Sequence, residues 1–319
     1  MAAKINYINV FIYAALLFSF MAVFIVVSGA LFFSNKGFEL SDETFYLIYS
    51  NNFNSETYIT SNFGLLNNFF CFGHPTLINL RIAKLVYQSI AVITLALSLF
   101  KYLNHTGFEI SKLQKIFIII ITLMASYINY DYLPMTMSYN TWSLVLILIF
   151  FSILLFELSN RRAVANLISA LGFGFICFCL FLVKFPNVVF AVLVYWLCNL
   201  FFIRENLGYK FLAMIAGILL GYFVFLNNFG DFKNIFHNYY VTLFDVKHVE
   251  ANSYAGQFMD YILMCIQKKY LLTELIIVLA TVLIKKLGME RKYLFGYCIL
   301  ILNLLFTFLF MDGNSKQLH

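Results

Sequence analysis

Apolar residues occur along this chain in long, nearly unbroken runs that alternate with short polar stretches. Nine of the runs reach or approach the roughly 20 residues that a helix needs to cross the hydrocarbon core of a bilayer. A spanning backbone must satisfy its own hydrogen bonds, and the runs lack the alternation of a membrane β-barrel. The pattern therefore predicts an all-α, polytopic transmembrane helix bundle. The nine predicted spans cover 9–33, 76–100, 115–130, 141–158, 164–183, 186–203, 209–228, 270–285 and 293–311.

Composition supports this class. Of the 319 residues, 62% are hydrophobic and only 11% are charged. A soluble domain carries about 25% charged residues, and a disordered chain has low hydrophobicity, so both classes are excluded. The net charge of +6 does not indicate nucleic-acid binding, because in membrane proteins basic residues anchor the cytoplasmic loops.

Two of the polar stretches are long, 34–75 and 229–269, and we expect both to contain amphipathic helices on the membrane surface. With the N-terminus in the cytoplasm, 12 of the 21 basic residues but only 4 of the 15 acidic ones lie in or beside cytoplasmic loops. The positive-inside rule favours this orientation, which places both long loops and the expected functional site outside. The first run is longer than a signal-peptide core, so we expect an uncleaved anchor. The abundance of Phe, Ile, Asn and Lys fits an AT-rich bacterial genome, so we expect the membrane to be a bacterial inner membrane.

The first long loop contains Ser41, Asp42 and Glu43 just before an apolar stretch. In one interpretation Ser41 caps a helix whose first turn carries two carboxylates, where the helix dipole favours them. In the other, a short surface helix holds one carboxylate that deprotonates an acceptor hydroxyl.

Basic residues follow at the start of the second predicted span. Arg81 and Lys84 are three residues apart and therefore share a helix face, with His74 shortly before them. Charges at this depth pair, extend towards the interface or serve a site. Together these three residues are candidates for binding a phosphate.

Other candidates lie at the outer ends of later spans. Asp131 is a second outer carboxylate, and Tyr139 and Asn140 are natural partners of sugar hydroxyls or phosphate. Lys184 precedes the proline that separates two spans. The alternatives are a helix cap for Asn140, the aromatic belt for Tyr139 and an ordinary interfacial position for Lys184.

Several common motifs are absent from the sequence. It has no phosphate-binding glycine loop, no nucleophile elbow and no zinc-protease motif, and its six cysteines show no metal spacing. We expect no cofactor; a divalent metal is compatible with the sequence but not indicated by it. Energy must therefore come with the substrate, and the scarcity of acids within the spans disfavours coupled transport.

The chain resembles the GT-C superfamily of polytopic glycosyltransferases, including aminoarabinose transferases and protein O-mannosyltransferases, over about residues 5 to 250. The matching segments are Asp42-Glu43-Thr44-Phe45-Tyr46, His74-Pro75-Thr76-Leu77, Arg81, Ser138-Tyr139-Asn140-Thr141 and Leu182-Val183-Lys184-Phe185-Pro186. Many members have more spans and a soluble outer domain, so the resemblance implies a compact or C-terminally truncated member. It implies a catalytic module at 1–230, followed at 231–319 by an outer loop and two further spans of the same membrane domain.

The resemblance also implies a function. A sugar would be transferred, with inversion, from a polyprenyl-phosphate donor to a hydroxyl of a glycan, lipid or protein acceptor. Asp42 would be the catalytic base, with Glu43 beside it. The residues expected to bind substrate are His74, Arg81, Lys84, Asp131, Tyr139, Asn140 and Lys184.

Two other functions fit a polytopic chain of this composition. A non-catalytic lipid or glycan carrier, such as a flippase or its accessory subunit, would not need Asp42. A glycan polymerase or ligase would use a lipid-pyrophosphate donor and would be expected to depend on outer arginines. The identity of the donor distinguishes this second alternative from a glycosyltransferase.

Overall fold

A computed structural model describes residues 7–36, 42–51, 62–71, 73–107, 109–128, 136–160, 162–203 and 206–226 of the chain. All regular structure within these ranges is helical. The helices are α1 (Tyr7–Phe33), α2 (Asp42–Asn51), α3 (Phe63–Phe70), α4 (Leu77–His105), α5 (Lys112–Ile128), α6 (Tyr139–Leu158), α7 (Ala163–Val183), α8 (Phe185–Cys198) and α9 (Leu207–Leu226), with a π-helical turn at Asn199–Ile203 after α8.

Five of the described helices are long and apolar enough to cross a membrane, and they confirm five of the predicted spans over most of their length. The five segments are Tyr13–Phe33, Leu77–His105, Tyr139–Leu158, Ala163–Val183 and Leu207–Phe225. The predicted span 115–130 corresponds to α5, which has only 17 residues. The predicted span 186–203 is a shorter apolar helix, Asn187–Ile203, that ends in the π-helical turn.

Three of the predicted elements cannot be compared with the helices above. The second long loop and the spans at 270–285 and 293–311 lie outside the described residues. The first long loop contains two short helices, α2 and α3. The chain divides into two compact units, and α8 with its π-helical turn belongs to the second unit.

Within the first unit, α4 and α6 pack side by side and run parallel. Near their starts the Tyr87 and Trp142 rings lie 5.5 Å apart between centroids, and near their ends the Lys101 ammonium lies 3.6 Å from the Phe156 ring centroid. The two contacts are separated by the same number of residues on each helix, so the helices stay in register over most of their length. α7 then returns antiparallel to α6.

On another face of α4, α1 and α5 pack antiparallel to it. Gln88 Nε2 of α4 donates a 2.7 Å hydrogen bond to the Ser126 carbonyl near the end of α5. Leu85 and Tyr127 form a small core that is covered by valines of α1. As a result α1, α5, α7 and α9 end, and α4 and α6 begin, at the end of the bundle where α2 and α3 lie. We call this end the α2/α3 end.

α7 and α9 approach each other through glycine. A Cβ atom added at Gly174 would lie 2.0 Å from the Met214 carbonyl oxygen, and one added at Gly217 would lie 2.0 Å from the Leu171 carbonyl oxygen. Gly217 and Gly221 form a small-xxx-small pattern that lets membrane helices pack backbone to backbone. This crossing therefore requires glycine on both helices.

A buried ion pair lies at the opposite end of the bundle. The Lys210 ammonium near the start of α9 pairs with the Glu157 carboxylate near the end of α6, and both side chains are fully buried. The dipole of each helix disfavours the charge that it carries, because anions are stabilised at helix starts and cations at helix ends. The pairing compensates both charges and connects α6 to α9.

Candidate functional site

The helix α2 is the central element of the candidate site, because its residues contact α3, α4 and the start of α6. Glu43 in its first turn pairs with Arg81 of α4. Asn51 at its end donates a 3.2 Å hydrogen bond from Nδ2 to the Pro75 carbonyl. Between them, Tyr46 packs against α3 and the start of α6. The acidic first turn follows the rule that helix starts favour carboxylates.

Glu43 and Arg81 form a bidentate ion pair. Arg81 Nε donates to Glu43 Oε1 at 2.9 Å, and Arg81 Nη2 donates to Glu43 Oε2 at 2.5 Å. The two side chains are only 1% and 4% exposed. Two parallel charge-assisted bonds are among the strongest polar contacts that side chains form, and they fix the orientation of both groups.

The remaining guanidinium nitrogen of Arg81 binds the end of α1. Nη1 donates to the carbonyls of Phe33, Ser34 and Lys36, at 3.0, 3.1 and 2.9 Å. Carbonyls at a helix end lack intrahelical donors, and the helix dipole favours a cation there. Arg81 therefore joins α1, α2 and α4. These protein groups surround the guanidinium. The contact between Arg81 and a substrate phosphate that the sequence suggests stays a prediction.

The other predicted acids and Lys84 are placed as follows. Asp42 is the first residue of α2, and the structure describes its backbone only. Lys84 is fully buried on α4, one turn beyond Arg81. An ammonium at such a position requires compensation by nearby polar groups. Asp131 lies outside the described residues.

His74 is exposed in the turn that leads into α4. This turn and the end of α2 line a surface depression of about 340 Å³, formed by Leu47, Asn51, Gly73, His74, Pro75, Thr76 and Leu77. Thr76 caps α4 by accepting a 3.2 Å hydrogen bond from the Asn79 backbone N–H, and Asn79 Nδ2 donates to the His74 carbonyl at 2.8 Å. The backbone around His74 is therefore fixed, while the imidazole remains accessible.

Four rings form a second group of contacts on another side of α2. We call Tyr46, Tyr49, Phe63 and Tyr139 the aromatic cluster. Phe63 is its centre, with ring centroids 5.4 Å from Tyr46, 5.0 Å from Tyr49 and 6.1 Å from Tyr139. The Lys184 ammonium lies 5.8 Å from the Tyr139 ring centroid, within cation–π range. The fold thus brings together Tyr139 and Lys184, two predicted residues 45 positions apart.

Asn140 follows Tyr139 in the first turn of α6 and is half-buried. The cap of α6 is Ser138, whose hydroxyl accepts a 3.2 Å hydrogen bond from the Thr141 N–H. The alternative in which Asn140 caps this helix is therefore wrong. Its expected role in binding substrate stays a prediction.

Two asparagines that sequence reasoning missed organise this end of the bundle. Asn67 is fully buried in α3 and donates from Nδ2 to Ser50 Oγ at 2.8 Å and to the Met137 carbonyl at 3.0 Å. Its Oδ1 accepts a 2.7 Å hydrogen bond from Trp142 Nε1. Asn62, just before α3, is also buried beside the aromatic cluster. The sequence feature that could have identified Asn67 is an amide side chain within a mostly apolar stretch of eight residues.

The local environment sets what these groups can do chemically. Burial raises the pKa of the Tyr49 phenol above its usual range and that of the Cys71 thiol to about 11, so at neutral pH Tyr49 is a hydrogen-bond donor and Cys71 is not a nucleophile. In the part of the chain that the structure describes, no group of three or more His, Cys, Asp or Glu side chains is positioned to hold a metal ion.

Comparison with known proteins returned no match to this chain among family models, curated proteins or solved structures. Function must therefore be inferred from the residues themselves. The relevant arrangement is an acidic helix start, an ion pair that fixes it, and an aromatic cluster with a lysine, all at the α2/α3 end.

Proposed function

We propose that this protein is a membrane glycosyltransferase that moves a sugar from a polyprenyl-phosphate donor to an acceptor hydroxyl of a glycan, lipid or protein. The observation that carries the proposal is the position of α2. Its acidic start contacts α4 through Glu43. Its tyrosines belong to the aromatic cluster, in which Tyr139 lies beside Lys184. Candidates for proton transfer, sugar binding and phosphate binding thus belong to one packed layer.

In the proposed reaction Asp42 is the general base. It accepts the proton of the acceptor hydroxyl while the hydroxyl oxygen forms a bond to the anomeric carbon of the sugar. The bond from that carbon to the phosphate oxygen breaks on the opposite face, and its electron pair leaves with polyprenyl phosphate. Attack from the face opposite the leaving group inverts the anomeric configuration.

Cations stabilise the leaving group in this scheme. The phosphate gains negative charge as the bond breaks, and fixed positive charge near it lowers the barrier. Lys184 is the principal candidate because it lies at the edge of the aromatic cluster, half-buried and beside a predicted sugar-binding ring. His74 is a second candidate, with an accessible imidazole above the depression next to α2.

Glu43 and Arg81 act in this scheme as positioning residues. Their bidentate pair fixes the first turn of α2 against α4, and the bonds from Arg81 to α1 hold the chain just before it. The backbone that carries Asp42 is thereby held in place, which a general base requires. Lys84, Asn140 and Asp131 are proposed to complete the substrate site.

The proposed topology has nine spans in a bacterial inner membrane, with the N-terminus in the cytoplasm. The α2/α3 end then faces outwards, where polyprenyl-linked sugars and their acceptors meet. The lipid tail of the donor would lie against the apolar helix surfaces. Exposed Ile78 and Ile82 near the start of α4 provide such a surface beside the site.

The test is release of polyprenyl phosphate by protein in nanodiscs, supplied with a panel of polyprenyl-phosphate sugars and with membrane glycan extracts. We expect release that requires acceptor, and we expect Asp42→Asn to lose at least about 100-fold in rate, the typical contribution of a general base. The matched control is Glu109→Gln, an exposed carboxylate in a loop at the opposite end of the bundle, which should keep the wild-type rate.

Two results would contradict the proposal. Release from no donor would remove the transferase assignment, and a non-catalytic carrier would then be the better description. Equal rates for wild type and Asp42→Asn would remove Asp42 as the base. Near-UV circular dichroism and thermal unfolding, compared with wild type, show whether a loss of rate in Asp42→Asn comes from a folding defect instead of from the missing base.

A further inference from the structure

The Asn62 amide is buried but poorly satisfied. The residue is only 7% exposed, and its backbone N–H donates a 2.6 Å hydrogen bond to the Leu182 carbonyl. The amide itself receives one long hydrogen bond of 3.5 Å, from the Tyr49 hydroxyl to Oδ1, and Nδ2 has no partner among the described residues. Exchanging the two amide atoms would again leave one of them without a partner.

Buried polar groups are normally hydrogen-bonded, so an amide of this kind requires an explanation. Thr136 Oγ1 is also buried without a partner at this end of the bundle, but a hydroxyl can rotate towards nearby carbonyls. Turning over the Asn62 amide only exchanges which of its two atoms lacks a partner, and the bond from its backbone N–H to Leu182 fixes the backbone that carries it. The unused Asn62 donor has almost no exposed surface in this structure, so a ligand that satisfies it must displace the side chains that cover it.

The surroundings of Asn62 indicate which ligand chemistry fits. Tyr49, which contacts the amide, belongs to the aromatic cluster, and Phe63 of the cluster is the next residue in the chain. Lys184 is two residues after Leu182, the backbone partner of Asn62. Tyr139 and Lys184 are only half-buried, so this edge of the cluster is open. From this edge inwards, the Lys184 ammonium neighbours the Tyr139 ring, Tyr139 neighbours Phe63, and Tyr49 beside Phe63 contacts the amide.

We propose that Asn62, Tyr49, Tyr139 and Lys184 form the subsite for the donor sugar, with Asn62 as the residue that binds a hydroxyl of the sugar ring. This inference rests on the proposed function. Ligand sites combine an apolar and aromatic wall with a few polar groups that fix orientation. The rings would contact the apolar face of a hexose, Asn62 Nδ2 would donate to a hydroxyl oxygen, and Lys184 would bind the phosphate on the open side.

The proposal separates two contributions to donor binding. Asn62 recognises the sugar and not the phosphate, whereas Lys184 recognises the phosphate whether or not a sugar is attached. A site built to hydrogen-bond a hydroxyl discriminates strongly against ligands that lack it. Replacing Asn62 should therefore weaken binding of the sugar-linked donor only, and replacing Lys184 should weaken binding of both lipids.

The experiment uses full-length protein in nanodiscs and compares binding of polyprenyl phosphate with binding of polyprenyl-phosphate glucose, mannose and galactose. For Asn62→Leu we expect at least a tenfold loss of affinity for the sugar-linked lipid that wild type binds best, and less than a twofold change for polyprenyl phosphate. Lys184→Met should weaken both. Asn68→Leu, the same substitution at a half-buried position of α3 outside the aromatic cluster, is the matched control and should bind like wild type.

Thermal unfolding distinguishes this role from a structural one. Asn62 Oδ1 accepts from the Tyr49 hydroxyl, so the double variant Asn62→Leu with Tyr49→Phe replaces both partners of this hydrogen bond. Replacing both partners of a buried hydrogen bond by apolar side chains of the same shape can be nearly neutral or stabilising, so this double variant should unfold at the wild-type temperature or above it. A lower unfolding temperature, unchanged affinity for the sugar-linked lipid, or equal loss for both lipids would each overturn the subsite. If wild type binds none of the lipids, the proposed function itself fails.

Discussion

Arg81 shows how a single residue can serve three parts of the fold. The sequence placed a charge near the start of a span, where a residue pairs, extends to the interface or binds a ligand. The structure pairs it with Glu43 and with the end of α1. Hydropathy predicts that Arg81 lies near the start of a span. Its partners depend on how α1 and α2 pack against α4, and residue spacing along α4 alone does not predict that packing.

Removal of the Arg81 guanidinium should be strongly destabilising. Arg81→Met leaves the Glu43 carboxylate buried without its cation, and breaking a buried ion pair costs about 3 to 5 kcal/mol. Thermal unfolding in detergent should show a large decrease relative to Arg162→Met, an exposed arginine. The double variant Arg81→Met with Glu43→Leu should recover part of the loss. If it is no more stable than Arg81→Met, the pair is not the source of the effect.

The asparagines mark the limit of sequence reasoning at this scale. Tyr139 and Lys184 are predictable from the sequence because aromatic rings and cations at the ends of spans are recognisable residue types. Asn62 and Asn67 carry no periodic signal, and their importance comes from burial and from partners distant in the chain. The burial of an amide side chain can be recognised only when the packing of the helices is known.

The crossing of α7 with α9 is the clearest feature at the scale of elements. Apolar runs predicted both helices, since a spanning helix needs little more than length and hydrophobicity. Their contact depends instead on which positions lack a side chain. Hydropathy does not report which glycines meet another helix, and only the structure pairs Gly174 with Met214 and Gly217 with Leu171.

A large side chain at Gly217 should separate the two helices. Gly217→Leu would place atoms within 2.0 Å of the Leu171 carbonyl oxygen, which the backbone cannot avoid without moving. Overpacking commonly costs about 1 to 3 kcal/mol, and a clash with backbone should lie at or above that range. Thermal unfolding measures the loss. Gly29→Leu on α1 is the control, because nothing lies within 4 Å of its Cβ position.

The Glu157–Lys210 pair permits a charge-exchange test. Each single reversal, Glu157→Lys or Lys210→Glu, buries two like charges and should destabilise by at least about 3 kcal/mol. The double reversal restores the pair and places each charge at the helix end that its dipole favours. We expect the double variant to equal or exceed wild type in thermal unfolding. A double variant as unstable as either single variant would contradict this account.

At the scale of the whole molecule, five long helices follow directly from the apolar pattern, but their arrangement does not. The parallel packing of α4 and α6 brings the start of α6 beside α3, and with it Tyr139 beside Phe63. Residues from four separate segments meet in this way at the α2/α3 end. Hydropathy assigns each segment to a side of the membrane, while helix packing decides which of them touch.

The proposed orientation predicts which ends a membrane-impermeant reagent reaches. Cysteine introduced at the exposed positions His74 or Asn51 should react with an impermeant maleimide in intact cells. Cysteine at Glu109 or Arg162, exposed at the opposite end, should react only after the cells are opened. The cysteines of the wild-type chain provide the background. Labelling in the reverse pattern would invert the topology and place the α2/α3 end in the cytoplasm.

The ion pair between α6 and α9 has a consequence for biosynthesis. Lys210 follows Glu157 by 53 residues in the chain, from 157 to 210. At about 5 to 20 residues per second, the ribosome makes Glu157 about 3 to 10 seconds before it makes Lys210. During that interval the insertion machinery must keep the carboxylate near water or protonated. The arrival of α9 then supplies the cation, so membrane integration of α6 and its final packing are separate events in time.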